Sequence, residues 1–434
     1  MMTESVAVVG LGKSGLSTVN FLLAHGVIPV VFDTREKPAG ENELDKRVTL
    51  CKGELDGDKL GQFDCLVVGP GLSLKLPALV KARECGTEII GDIELFARYA
   101  KAPTVGITGS NGKSTVTTLT ALMVEADGKK CGMGGNIGIP ALDVIADDVD
   151  AYVLELSSFE LETTSSLKLA GAVILNLSED HLDRYDGSMQ LYLEAKQRIF
   201  RNADKIIVSR EDKATIPPSG EYYSSFGCDD RDYGRIVKNG EVWLSVNGEP
   251  LIKNTDLGIA GLHNELNALA SMALADTLGI GREAQLKVLS SFKGLPHRCQ
   301  LVREIDGVRY YNDSKATNVG STLAAVAGLK DGVSGRIILL AGGLGKGQDF
   351  TPIKNMLGKE ISYMLCFGRD GAMLASLGEQ TRLTDDMAEA VRIAHDELAR
   401  PGDVVLLAPA CASLDQFKSF EERGDVFAEL VRKL

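Results

Sequence analysis

Short apolar runs that end in glycine, aspartate or serine recur along this 434-residue chain, with helical patterns between many of them. Such runs lie at 6–10, 28–33, 65–69, 104–109, 152–157, 173–178, 205–209, 337–342, 363–368 and 404–409. They are rich in β-branched residues and mostly lack alternation, which suits strands buried on both faces. Helical patterns at 16–25, 115–127 and 268–278 separate some of them. Alternating strands and helices predict an α/β protein, with parallel sheets joined by right-handed crossovers. One stretch differs: from about 222 to 259 the chain is polar and turn-rich, with an Asn247-Gly248 turn signal. It reads as a small antiparallel excursion inside a larger α/β domain. The length exceeds one ordinary core. Breaks near 91–103 and 292–299 divide the chain into domains over 1–92, 93–296 and 297–434.

Composition narrows the function. The formal net charge is -13, so the chain repels phosphate backbones and no nucleic-acid partner is expected. Nucleotides stay allowed, because they need only a few local cations and backbone N–H groups. No run of 18 apolar residues exists, so no membrane span is expected. The chain passes from Met1 almost directly into a strand pattern, unlike a signal peptide, and its eight cysteines show no paired spacing. A reducing, cytoplasmic location and no structural zinc are the expectations.

Two glycine-rich loops carry the chemistry. Gly10-Leu11-Gly12-Lys13-Ser14-Gly15 is a full G-x-G-x-x-G between a strand and a helix, and Asp33 ends the next strand. The glycines permit close backbone approach and the helix start favours a diphosphate. The loop alone allows a dinucleotide cofactor or any nucleoside diphosphate. The second loop runs from Gly106 through Gly109-Ser110-Asn111-Gly112-Lys113-Ser114 to Thr115. Its Gly-Lys-Ser end matches a phosphate-binding P-loop, although Ile107 stands where the strict pattern has glycine. There Lys113 reaches the β/γ oxygens and the Ser114 hydroxyl can ligate Mg²⁺.

Carboxylates and cations follow. Glu155 lies near the end of an apolar strand pattern, where a charge is costly unless it meets a metal or a cation. Asp180 and His181 follow another strand and are metal or phosphate candidates. Lys196, at the start of a helical pattern, reads by itself as a solvated lysine.

Together these residues resemble the Mur ligase family across nearly the whole chain. The resemblance rests on Gly109–Thr115, Gly135-Asn136-Ile137-Gly138, Glu155-Leu156-Ser157-Ser158, Asn176–Asp183, Ala195-Lys196, Gly261–Asn267, His297-Arg298 and Asn312–Asn318. It implies a Rossmann-like first domain, a P-loop ATPase-like central domain and a Rossmann-like third domain. It implies ATP and two Mg²⁺ ions, with Lys113, Glu155, His181 and Lys196 as catalytic residues and Ser114 as a further metal contact. Lys196 would be carbamylated and would serve the second ion. Asn264, Asn267, Arg298 and Asp313 would contact ATP. The first glycine loop resembles a UDP site, which replaces the cofactor reading. Gly12, Lys13 and Ser14 would meet the diphosphate and Asp33, Thr34 and Arg35 the uracil, with Gly71, Asn136 and His181 on the same substrate.

The chain lacks the Asp-Asn-Pro-Arg segment of the diamino-acid-adding branch. Gly342–Gly347 and Ser413–Phe417 resemble the D-glutamate-adding branch. The small-molecule partners implied are ATP, UDP-N-acetylmuramoyl-L-alanine and D-glutamate. Lys346 would bind the acceptor's side-chain carboxylate, with Thr317, Ser413 and Phe420 around it. Two rivals stay open: folylpolyglutamate synthetase, a related ligase whose first domain is the ATPase itself, and an NAD-dependent oxidoreductase read from the first loop alone.

Overall fold

The computed structural model describes residues 5–180, 182–259, 261–330 and 335–434. Three sheets carry the chain, and it divides into two compact units. The first unit holds the N-terminal and central sheets, and the second holds the C-terminal sheet.

The N-terminal sheet has five parallel strands in the spatial order Thr49–Lys52, Val30–Asp33, Val6–Val9, Cys65–Val68 and Glu88–Ile90. Its centre, Val6–Val9, is buried at every position, which explains the missing alternation. The first glycine loop leads from this strand into the helix Lys13–Ala24. Gly15 is required there: a Cβ would lie 1.9 Å from the carbonyl oxygen of Gly10. Helix and strand therefore pack closely enough to leave the loop's backbone exposed to a ligand.

The central sheet has nine strands. Its parallel core places Thr104–Thr108 between Gly171–Ile174 and Ala151–Glu155, with Cys131–Gly135 outermost on the latter side. The P-loop leaves Thr104–Thr108 and opens the helix Lys113–Ala126. The antiparallel excursion forms as expected, but as an edge of this same sheet: Tyr233–Lys238, Glu241–Val246 and Glu249–Lys253 pair in succession. Its tight turns are Asn247-Gly248 and Asn239-Gly240, all four residues at positive φ, as two-residue hairpins require. The Glu94 carboxylate, on the helix Asp92–Tyr99, joins the N-terminal and central parts. It accepts from the Ser165 and Ser166 amides at 2.7 and 2.9 Å and from the Ser166 hydroxyl at 2.7 Å.

The C-terminal sheet has six strands, in the order Gln300–Ile305, Val308–Asn312, Val404–Leu407, Ile337–Gly342, Ile361–Phe367 and Thr381–Leu383. Only the first pair is antiparallel, closed by Asp306-Gly307. Ile337–Gly342 and Val404–Leu407 are adjacent, although the chain visits the far edge of the sheet between them. The loops leaving their carboxyl ends border the point where strand order reverses, where open α/β sheets bind ligands. Among the described residues no helix is long and apolar enough to cross a membrane.

Candidate active site

The first glycine loop borders a cavity of about 410 Å³, lined among others by Gly12, Lys13, Ser14, Asp33, Thr34, Arg35 and Gly71. All seven were expected on the UDP-linked substrate. Asp33 is the organiser. It is buried, and its carboxylate accepts from the Leu11 amide at 2.7 Å and from the Arg35 amide, Nε and Nη2 at 2.9, 2.9 and 2.6 Å. The Arg35 side-chain bonds hold its carboxyl down at about 2. Asp33 thus fixes the loop and Arg35, and its own oxygens are largely used in doing so.

The P-loop residues Gly109–Thr115 lie at the junction of strand and helix. Gly112 has φ +85°, and a Cβ there would stand 2.5 Å from the Asn267 side-chain oxygen, so Asn267 borders the loop. Asn176 clasps the loop, accepting from the Asn111 amide at 2.8 Å and donating to its carbonyl at 3.0 Å. The Lys113 ammonium donates to the carbonyls of Gly109 and Ser110 at 2.8 and 3.0 Å. Ser114 donates to Glu155 at 2.6 Å, both buried, so a hydroxyl and a carboxylate meet at the helix start. Lys196 is 2% exposed, contrary to the solvated reading of the bare sequence. Its ammonium donates to the Gly109 carbonyl at 3.0 Å and lies 4.6 Å from the centre of the Tyr192 ring. His181 lies outside the described residues.

One turn connects these two places. Asn136 donates from its amide to the Glu155 carbonyl at 2.8 Å and from its side chain to the Glu155 carboxylate at 3.1 Å. Two residues on, the Gly138 carbonyl accepts from the Lys13 ammonium.

In the second unit, Asp313 and Arg298 lie near enough to interact through space. The Asp313 carboxylate accepts from the Cys299 amide at 3.1 Å. Burial raises its pKa to about 6, against the opposing pull of that amide and of Arg298. Asn264 lies in the first turn of the helix Leu262–Thr277. Lys346 is exposed at φ +53° in the loop after Ile337–Gly342, and Ser413 is buried in the loop after Val404–Leu407. The two loops pair backbone to backbone through Leu344 and Ala412. Gln348 ties the Thr317 segment to them: its side chain accepts from the Val319 amide at 2.9 Å and donates to the Gly345 and Ala410 carbonyls at 2.9 and 3.3 Å. Phe420 opens the last helix, with the Lys315 ammonium 4.0 Å from its ring centre.

Residues 4–91 match the Mur ligase MurD-like N-terminal domain, 107–275 the Mur ligase middle domain and 297–411 the Mur ligase glutamate ligase domain. The chain belongs to the Mur ligase family. This Mur ligase is 50% identical over 434 residues to the UDP-N-acetylmuramoylalanine--D-glutamate ligase of Escherichia coli strain K12, covering 99% of this chain and 98% of that one. Its fold is like that of the UDP-N-acetylmuramate-alanine ligase of Thermotoga maritima (TM-score 0.62, 19% identity, 99% of both chains). It is also like that of a pseudomurein peptide ligase type C from Methanothermus fervidus (TM-score 0.64, 19% identity, 99% and 100% covered). The match at 4–91 gives the first glycine loop to a ligase domain and leaves the oxidoreductase reading without support.

Several residues that support the candidate site of this Mur ligase by hydrogen bonds to its neighbours escaped the sequence reading. Gln348 and Asp370, whose carboxylate accepts from the Gly345 amide at 2.6 Å, have no local signature. Asp92 and Glu160 are also buried, beside Ser14 and Ser157 respectively. Burial raises both carboxyls well above the usual range, and their mutual repulsion adds to the effect on Glu160.

Proposed function

We infer that the chain joins D-glutamate to the L-alanine carboxylate of UDP-N-acetylmuramoyl-L-alanine, using ATP and passing through an acyl phosphate. The observation that carries this reading is the 50% identity, end to end on both chains, to an enzyme named for that reaction. Its setting would be the cytoplasm, where ATP and UDP-sugars are made. The three family matches favour domains over 1–92, 93–296 and 297–434.

The chemistry assigns the roles. A carboxylate is a poor acyl donor because oxide is a poor leaving group. Attack of the alanine carboxylate on the γ-phosphorus of ATP expels ADP and leaves phosphate as the leaving group. The acceptor amine, having lost a proton, then attacks the acyl carbon and expels phosphate. Lys113, freed from the loop carbonyls, would neutralise charge on the transferring phosphoryl group. The loop's backbone N–H groups, held by Asn176, would cradle the phosphates. Asn264, Asn267, Arg298 and Asp313 would hold the remainder of ATP, and Thr317, Lys346, Ser413 and Phe420 the acceptor.

Ser114 and Glu155 are hard oxygen donors 2.6 Å apart and fit Mg²⁺. Magnesium there supplies charge neutralisation at the phosphates. Lys196 is a cation as it stands and fits a second ion only as the carbamate, with His181 as its companion. Asn136, on both the Glu155 carboxylate and the turn beside Lys13, would orient the UDP-linked substrate toward the P-loop.

The test is phosphate release from ATP with UDP-N-acetylmuramoyl-L-alanine, scanned over amino-acid acceptors. Release that depends on D-glutamate and disappears in Lys113→Ala is the expected result. Release with another acceptor overturns the acceptor assignment, and no release with any acceptor overturns the reaction.

A further inference from the structure

The last helix, Phe420–Lys433, buries a stripe that includes Arg423, Phe427 and Val431, spaced four apart. Positions so spaced share one helix face, and such a face normally carries only apolar side chains. Here its first member is an arginine with no exposed surface. Burying a guanidinium is expensive unless its donors are satisfied.

The satisfaction is unusual in kind. Arg423 Nε donates to the Ser314 hydroxyl at 2.9 Å and Nη2 to the Ser314 carbonyl at 2.8 Å. Nη1 donates to the Cys411 carbonyl at 3.0 Å and, at a longer 3.4 Å, to that of Gly342. Every one of these acceptors is neutral. Among the described residues no carboxylate forms an ion pair with Arg423; Asp415 acts on it only through space, with one of its oxygens accepting from the Arg369 amide at 2.9 Å. Burial lowers the pKa of Arg423 to about 10, which still leaves it charged at neutral pH.

The acceptors are not scattered. Ser314 lies three residues before Thr317, Gly342 four before Lys346 and Cys411 two before Ser413. The Ser314 hydroxyl also donates to the carbonyl of Phe420 at 2.8 Å. One guanidinium therefore holds, by their backbones, the three loops assigned to the acceptor, and the fourth residue is joined through Ser314. A planar fork of five donors suits this task, and a lysine has neither the reach nor the count.

We propose that Arg423 is a positioning and specificity residue for the acceptor: it locks the three loops in one register and lends the pocket a positive charge that, among the described residues, no ion pair neutralises, favouring an amino acid with two carboxylates. This rests on the acceptor lying at Thr317, Lys346 and Ser413. A charge beneath a pocket and screened from water acts on a bound anion more strongly than an exposed one.

The experiment compares Arg423→Lys, Arg423→Met, Ser314→Ala and Lys346→Gln in the full chain. It measures the KM of each substrate, the melting temperature, and inhibition by glutarate and by butyrate. In Arg423→Met the KM for D-glutamate is expected to rise about tenfold or more, while that of the UDP-linked substrate stays within about twofold. Arg423→Lys should recover part of the loss. The preference for glutarate over butyrate should shrink in Arg423→Met and persist in Arg423→Lys, which loosened packing alone would not produce. If Arg423→Met does not fold, Ser314→Ala keeps the charge and removes one bond, and it should still raise the D-glutamate KM selectively. A folded Arg423→Met with an unchanged D-glutamate KM, or equal rises for both substrates, overturns the proposal, as does a Ser314→Ala with no selective effect. Lys346→Gln separates the two readings. If it leaves the D-glutamate KM unchanged, the pocket assignment fails and this inference with it. If it raises that KM while Arg423→Met does not, only this inference fails.

Discussion

The glycine loops at 10–15 and 109–115 use the same backbone device to different ends. Each leaves a buried parallel strand and opens a helix without a side-chain cap. At the first loop the decisive side chain is an acid, Asp33, saturated by Leu11 and Arg35 and spent on rigidity. At the second it is a cation, Lys113, resting on carbonyls of its own loop, with the Ser114–Glu155 pair beside it. Backbone geometry makes both loops receptive to phosphate. On the proposed function, the side chains then make one a holder and the other a place where charge is moved.

That contrast can be broken most severely at Lys113. Lys113→Ala is expected to lower the rate of phosphate release by about 10³-fold or more with a nearly unchanged melting temperature. A loss of less than about tenfold would make the second loop a holder as well. Gly112→Ala comes next. It forces φ +85° on an alanine and drives a methyl into Asn267, so ATP binding measured by calorimetry should weaken by about tenfold or more. An unaffected affinity would mean that the loop is not held in this conformation.

At the first loop the effect should be smaller and confined to binding. Asp33→Asn frees Arg35, so the KM of the UDP-linked substrate should rise about tenfold with kcat little changed. A fall in kcat with KM intact would erase the distinction between the loops. Because Asp33 has a depressed pKa, its contribution to stability is present above pH 3.8 and lost as pH falls toward about 2. Asp33→Asn should remove that acid-side loss from a melting-temperature profile.

The smallest effect concerns Glu160. Its folded pKa is raised, so its contribution to stability is full below pH 4.5 and is lost as pH rises through the folded value. Glu160→Gln should therefore flatten the melting profile between pH 5 and pH 8 and raise stability at pH 8 by on the order of 1 kcal/mol. Parallel profiles for the two proteins would show that the proton is not held there.

Much of this was legible in sequence because it is local. Gly10–Gly15 and Gly109–Ser114 announce themselves through spacing, and the strand patterns place them at sheet ends. Two turn signals of the same kind as Asn247-Gly248 also stood in view: Asn239-Gly240 and Asp306-Gly307 close hairpins too. What could not be read depends on contacts distant in sequence. The burial of Lys196 beneath Gly109 and the link from Gln348 to Ala410 follow from packing that no local pattern encodes. Arg423 belongs with these: the three carbonyls it meets come from segments far apart in the chain.

The turn Gly135–Gly138 has a thermodynamic consequence. Because Asn136 is bonded to Glu155 and Gly138 to Lys13, a ligand that shifts either end works against the bonds at the other. With the substrates bound as proposed, the binding energies at the two loops would not be separable quantities. Whatever factor the UDP-linked substrate adds to the affinity for ATP, ATP must return in equal measure. On the proposed sites, an affinity measured for one substrate therefore depends on the occupancy of the other.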